Sequence, residues 1–434
     1  MKETILQFGE GNFLRAFVED FIDKMNKDGL YGGRVVIVKP RPGSLEKFDA
    51  QGCRYHLLLR GIEDGRRVSR LREIDSVSRV LDPYTDFDAF LALAENPDLR
   101  FIVSNTTEAG IAFDPACRFE DRPALSFPGK LTQLLFARLR AGLRGFVLLP
   151  CELIDDNGDR LKDCVLRYAA LWGLGEDFVR WVEEENVFAS TLVDRIVTGF
   201  PADAEEVCPG DRLLDAAEPY HLWAIGGDFE HELPLQKAGV NVVWTDDIRP
   251  IKKRKVRLLN GAHTAMVFPA LLAGAETVGE ALADPDVGTF LRRYLWELAL
   301  PVLGDTPENR AFASAVLERF ANPFIRHQLR SIALNSVSKF AVRVLPTALD
   351  AQAATGTFPR AAAVSLAALI YYYKTREAQD EEKAVAFLRA NDPETVLGSG
   401  LFGTPLPGAK AQTGEAYRMI EAGKIREAMR WAFS

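Results

Sequence analysis

The sequence predicts an α/β N-terminal domain with a parallel-rich sheet, followed by an all-α C-terminal domain. Three observations carry this. Short apolar runs alternate with amphipathic stretches over the first half, the pattern of buried parallel strands and crossover helices. A glycine turn joins the first apolar run to the first helical stretch. After Asn241-Val-Val-Trp-Thr245, strand-like runs give way to Ala/Leu-rich helical segments that continue to Ser434. At 434 residues the chain exceeds the one-domain range of about 100–200 residues. The change of character divides it into residues 1–247 and 248–434, with the boundary near Asp246 to Pro250.

In the first half, Thr4 to Phe8, Arg34 to Val38, Tyr55 to Leu59, Arg100 to Ser104 and Gly145 to Leu149 read as strands of one parallel sheet. Phe87 to Ala94 and Leu131 to Leu139 place apolar residues three and four apart, as helices packed on that sheet do. The second half opens at Asp246-Asp247-Ile-Arg-Pro250, a capped helix start with proline near the first helical position.

Composition excludes several classes of function. The chain is 47% hydrophobic and 26% charged, as soluble globular proteins are. A net charge of -8 argues against a general nucleic-acid binder, which carries a basic face. Five cysteines are odd in number, scattered and never in a C-x-x-C pair, so they read as reduced thiols of a cytoplasmic protein, with no structural zinc. The histidines show no ligand spacing with cysteine or carboxylate, and no metal is expected. No charged-then-apolar leader opens the chain, and no apolar run approaches the roughly 18 residues of a membrane span. The expected partner is a small molecule; the pattern leaves oligomeric state open.

The first strand runs into Gly9-Glu10-Gly11-Asn12-Phe13-Leu14, a strand, tight turn and helix start. Such a turn lets backbone approach a pyrophosphate and aims a helix N-terminus at it, which makes Gly9, Gly11, Asn12 and Phe13 candidates for dinucleotide binding. Leu14 stands where the usual fingerprint has its third glycine. The second strand ends in Lys39-Pro-Arg41 rather than in the acid that usually holds the adenosine ribose, so Lys39 and Arg41 leave NADP open beside NAD. Asn105, Thr106 and Thr107 follow another strand end, where open parallel sheets bind ligands.

The chemical site is read from Lys255-Val-Arg-Leu-Leu-Asn260-Gly-Ala-His263. On a regular helix Lys255, His263 and Asn260 fall at about 0°, 80° and 140°, so the three can face one cleft. A lysine beside Lys252 and Arg254 is expected to titrate closer to neutrality, because like charges disfavour the ammonium. Asn260 and His263 can donate to a carbonyl or alkoxide oxygen. Positive charge in the first turns opposes the helix macrodipole, which points to an anion nearby.

These residues resemble the long-chain polyol and uronate dehydrogenases, the mannitol dehydrogenase family, over nearly the whole chain. Its Lys-x4-Asn-x2-His motif is similar to Lys255, Asn260 and His263. Further matching stretches are Gln7 to Ala16, Ser104 to Gly110, Pro150 to Asp155, Ser190 to Ile196, Leu259 to Thr264 and Asn322 to Leu329. The resemblance implies a Rossmann-type domain followed by a helical one, an NAD cofactor and a sugar-acid substrate. It implies Lys255 as general acid/base and Asn260 and His263 as oxyanion donors, with Asp194 at the cofactor and Ser190, Arg195, Lys252 and Lys339 toward substrate. The branch it points to interconverts D-tagaturonate and D-altronate. Fructuronate/mannonate or mannitol chemistry is the alternative, and a silent sugar-acid sensor or an NAD-retaining epimerase the rivals of another class. Ser190 replaces an asparagine of the mannitol branch, and Lys252 replaces a glutamate.

Overall fold

In the computed structural model, which describes every residue from 1 to 434 except Glu108, the chain forms two compact units. The first comprises residues 1–60 and 67–249, the second residues 61–66 and 250–434.

The strands in chain order are β1 (Lys2–Phe8), β2 (Gly33–Val38), β3 (Tyr55–Glu63), β4 (Arg66–Ile74), β5 (Val77–Leu81), β6 (Phe101–Ser104), β7 (Val147–Pro150), β8 (Val187–Phe188), β9 (Thr191–Asp194), β10 (Val197–Gly199), β11 (Asp215–Ala217), β12 (Leu222–Gly226) and β13 (Val242–Thr245). Six of them form a wholly parallel sheet in the order β5-β2-β1-β6-β7-β8. From β1 the chain builds outward one way to β2 and β5, then returns to pair β6 on the other side of β1. The switch in winding direction therefore lies between β1 and β6, and the carboxyl ends of these strands flank the crevice where such sheets take ligands.

Alternation along these strands feeds two cores. Leu6, Phe8, Val36, Val38, Ile102 and Leu148 face a layer containing Leu131, Leu134, Leu135, Leu161, Val165 and Phe178. Ile5, Val35, Ile37, Val103, Val147 and Leu149 face a second layer that includes Phe17, Phe21, Met25, Leu57, Trp223 and Ile225. Both faces are buried, so the strands read as continuous apolar runs.

One expected strand lies elsewhere. Tyr55 to Leu59 is not in the parallel sheet but belongs to β3, in a separate four-stranded sheet of order β10-β11-β3-β4. The cause is the turn Asp64-Gly65 between β3 and β4, where both residues take positive φ (51° and 72°). Asp-Gly in this conformation closes a two-residue hairpin, which commits β3 to an antiparallel neighbour.

Apart from residues 61–66, which belong to the ends of β3 and β4, the second unit is helical among the described residues, with one isolated bridge, Thr277 to Gln328. Its central rod runs from Arg249 to Ala273 and is not uniform: an α-helix to Arg254, a π-helical turn over Lys255–Asn260, and α-helix again from Gly261. This rod is long and apolar enough to cross a membrane by length and composition, which the sequence reading did not anticipate. Of its apolar window, 61% is buried inside the protein, as in a core helix. Arg360–Thr375 packs along it.

Candidate active site

In the first unit a cleft of about 650 Å³ lies beyond the carboxyl ends of β1 and β2, next to the winding switch, lined by Glu10, Asn12, Lys39, Phe48, Arg212 and Leu213, among others. Gly9 holds φ at +118°, and a Cβ there would stand 3.0 Å from the carbonyl oxygen of Asn105. The glycine thus lets the loops after β1 and β6 meet at the winding switch. At Gly11 the backbone φ is an ordinary -69° and a Cβ would meet nothing within 4 Å. That open face, at the start of the helical stretch Asn12–Lys27, suits close approach by a phosphate group. Leu14 is buried. Phe13 is half-buried and stacks on Phe17 at 4.9 Å.

Lys39 is not a solvated turn residue. It is buried, lies 3.3 Å from a Glu10 carboxylate oxygen and donates to the carbonyl of Ser44. Asn105 donates to the Cys151 carbonyl, and Thr106 donates through both its amide and hydroxyl to Glu152, which also accepts from Ser104. These side chains hold the loop after β6 in shape. Thr107 takes a positive φ of 130°, a strained value for a β-branched residue. Glu108, within the matching stretch Ser104 to Gly110, lies outside the described residues.

Asp194 is buried at the end of β9. Arg195 does not face an opening: its side chain is 1% exposed and donates to the Ala16 and Glu218 carbonyls and to Asp20. The expectation that Arg195 meets substrate is therefore corrected, because its contacts tie the end of β9 to the first helical stretch and to the chain just after β11. Ser190 accepts from the Gly158 amide and lines a second cleft of about 490 Å³ with Asp156, Asp246, Asp247 and Arg249. The capped helix start appears as drawn from sequence, with the Asp247 carboxylate accepting from the Arg249 amide.

In the second unit the angular estimate for Lys255, Asn260 and His263 needs correction. They do not lie on a regular α-helix, because the residues from Lys255 to Asn260 form a π turn, whose hydrogen bonds close five residues apart. Five residues are the hydrogen-bonded step there, as four are in an α-helix, so Lys255 and Asn260 share a face. His263 follows one α-turn later. Gly261 sits between them because a Cβ would lie 3.0 Å from the Arg343 carbonyl oxygen and 3.3 Å from the Tyr294 hydroxyl. Arg254 is committed to Asn309. Lys252 and Lys255 are half-buried.

His263 stacks on Phe320 and meets His327 edge to face at 5.1 Å. Burial holds its imidazole well below the usual range, and His327, Arg319, Arg343 and Lys339 push it the same way. Its Nε2 has no hydrogen-bond partner among the described residues. Burial and Arg343 also lower Lys339, whose ammonium donates to the Ile332 carbonyl. His327, Arg319 and Arg343 are not among the site residues expected from sequence, although His327 lies in the matching stretch Asn322 to Leu329.

Residues 3–237 match the mannitol dehydrogenase Rossmann domain, and residues 247–394 the mannitol dehydrogenase C-terminal domain. The chain belongs to the mannitol dehydrogenase family. It is accordingly an oxidoreductase acting on CH–OH groups. Among curated members of the mannitol dehydrogenase family, it is 48% identical over 387 residues to altronate oxidoreductase of Escherichia coli K12, covering 86% of this chain and 80% of that one. D-sorbitol dehydrogenase, solved in substrate-free form, shares the fold with a TM-score of 0.87 at 23% identity, over 99% of this chain and 95% of the other. Mannitol 2-dehydrogenase of Pseudomonas fluorescens, solved as a ternary complex with NAD and D-mannitol, gives 0.74 at 21% identity, over 99% and 94% of the two chains.

Proposed function

We propose that this protein is a cytoplasmic, NAD(H)-dependent oxidoreductase that interconverts D-tagaturonate and D-altronate. The acidic substrate is supported by the positive charge of Arg319, Arg343 and Lys339 that reaches His263. A substrate carboxylate is drawn to such a positive field, and a neutral polyol is not. The likeness to altronate oxidoreductase at 48% identity supports the same choice.

The residues present fit a dinucleotide: the open face at Gly11, the cleft beyond β1 and β2, and Lys39 at the end of β2. A dinucleotide held there by Gly11 and Lys39 would supply the hydride acceptor or donor for the carbinol carbon. In the oxidation direction, neutral Lys255 takes the hydroxyl proton at Nζ; in reduction, the ammonium returns it. Asn260 donates to the oxygen that changes between alkoxide and carbonyl. His263, kept neutral by its surroundings, donates to the same oxygen as an imidazole and not as an imidazolium. Lys339 and Lys252 take the substrate carboxylate. Gly9, Gly11, Asn12, Phe13, Asn105, Thr106, Thr107 and Asp194 shape the cofactor end, and Ser190 borders the substrate.

The test compares kcat/KM for tagaturonate, fructuronate and fructose, each with NADH and NADPH. Tagaturonate with NADH is expected to lead. Preference for fructose overturns the carboxylate argument, preference for fructuronate moves the assignment to the sister reaction, and no turnover of any of them favours a silent sensor.

A further inference from the structure

A second constellation lies in the first unit, made from residues far apart in sequence. His56 is the second residue of β3, Cys208 follows the helical turn Ala204–Val207, and Asp211 precedes β11. Parallel pairing of β11 with β3, Asp215 opposite Leu57, draws the three together. The Nδ1 of His56 lies 3.0 Å from Asp211 Oδ2 and 3.3 Å from Cys208 Sγ, and the three donor atoms all fall within 4.8 Å of one another.

The carboxylate is pre-positioned. Asp211 Oδ1 accepts from the Gln51 side chain and the Leu213 amide, and Oδ2 accepts from the His56 amide, so its orientation is fixed from three directions. The side chain of Asp211 is 5% exposed and that of His56 34% exposed, which leaves one side of the cluster open to solvent.

Two readings compete. A nucleophilic thiol relay needs the carboxylate on one ring nitrogen and the sulfur on the other. Here both reach the same Nδ1, and one nitrogen has a single in-plane lone pair or proton to offer. A cation between the three groups satisfies all of them. Zinc bonds of about 2.0–2.3 Å in a tetrahedron place ligand atoms about 3.3–3.6 Å apart, close to the spacing observed.

We propose that His56 Nδ1, Cys208 Sγ and Asp211 Oδ2 form a binding site for a divalent cation of zinc type, with water in the fourth position. Binding takes the cation from water, releases the thiol proton to solvent and involves no change of oxidation state. Position gives the site a consequence: Asp211 is followed directly by Arg212 and Leu213, which line the cleft beyond β1 and β2.

The test uses the full chain, stripped with chelator, loaded with Zn2+ and dialysed, with metal per chain measured by mass spectrometry. One equivalent is expected in the wild type and none in Cys208→Ala or His56→Ala. Co2+ as a probe is expected to give a thiolate-to-metal charge-transfer band in the wild type, absent in Cys208→Ala. Zn2+ is also expected to slow alkylation of Cys208. Equal retention in wild type and variants, no retention in wild type, or a cobalt spectrum without thiolate character each overturns the site. The wild-type cobalt spectrum decides even where a variant fails to fold.

Discussion

The imidazole of His263 lies flat on the ring of Phe320, their centroids 4.0 Å apart and their planes 25° apart. Desolvation by this stacking and by the helix around it makes the proton on His263 expensive, and the neighbouring cations add to the cost. A histidine whose folded pKa is depressed binds fewer protons than it does unfolded once pH drops below its ordinary value near 6.5. Its stabilising contribution is therefore fully present above that value and is lost as pH falls toward the folded pKa. Urea unfolding of wild type and His263→Gln at pH 7.5 and 5.5 measures this. The wild type is expected to lose more stability between the two pH values than the variant, and equal losses would show that His263 titrates normally.

Lys255→Ala is expected to lower kcat by at least about 10²-fold at neutral pH, because no other group on the π turn can carry the proton. NADH affinity, read by fluorescence titration, should stay within about twofold, since Lys255 belongs to the second unit and the nucleotide cleft to the first. Near-normal turnover removes Lys255 from the mechanism.

The two turn glycines should separate by experiment. Gly9→Ala forces an L-residue into φ +118° against the Asn105 carbonyl, and a loss of about 1–3 kcal/mol of stability is expected. Gly11→Ala meets open space at an ordinary φ, so stability should change by less than about 0.5 kcal/mol. Its methyl group points where a phosphate would lie, and the NADH dissociation constant should rise at least about tenfold, roughly 1.4 kcal/mol. An unchanged dissociation constant in Gly11→Ala would place the dinucleotide elsewhere.

Lys39 is occupied by Glu10 at 3.3 Å. Neutralising that partner with Glu10→Gln should free the ammonium for a 2′-phosphate and raise the NADPH-to-NADH ratio of kcat/KM by about tenfold. If the ratio does not move, Lys39 plays no part in cofactor choice.

Much of the first unit was readable from its periodicity, because strands buried on both faces must be apolar throughout. The β3–β4 hairpin was missed although Asp64-Gly65 is its local signal; a buried run such as Tyr55 to Leu59 looks alike in either kind of sheet. Arg195 was misread since its partners, Asp20 and the Glu218 carbonyl, are fixed by folding and not by spacing. The same holds for the His56, Cys208 and Asp211 cluster, which no linear interval reveals. Lys255, Asn260 and His263 could be picked out by residue type, yet their angular relation could not. Nothing in Val256-Arg-Leu-Leu259 announces a π turn, and the close packing at Gly261 that accompanies it depends on Tyr294 and Arg343.

That π turn works as an inserted phase. The helix before it and the helix after it keep separate rotational registers, and a single-residue deletion between Val256 and Leu259 would let one α-helix run through. The step from Lys255 to Asn260 would then fall from five residues to four, which on a regular α-helix still stacks the two side chains on one face, about 40° apart. What the π turn does is absorb one extra residue: with the same five-residue step wound as plain α-helix, Lys255 and Asn260 would stand about 140° apart, so their alignment depends on the bulge and not on the spacing alone.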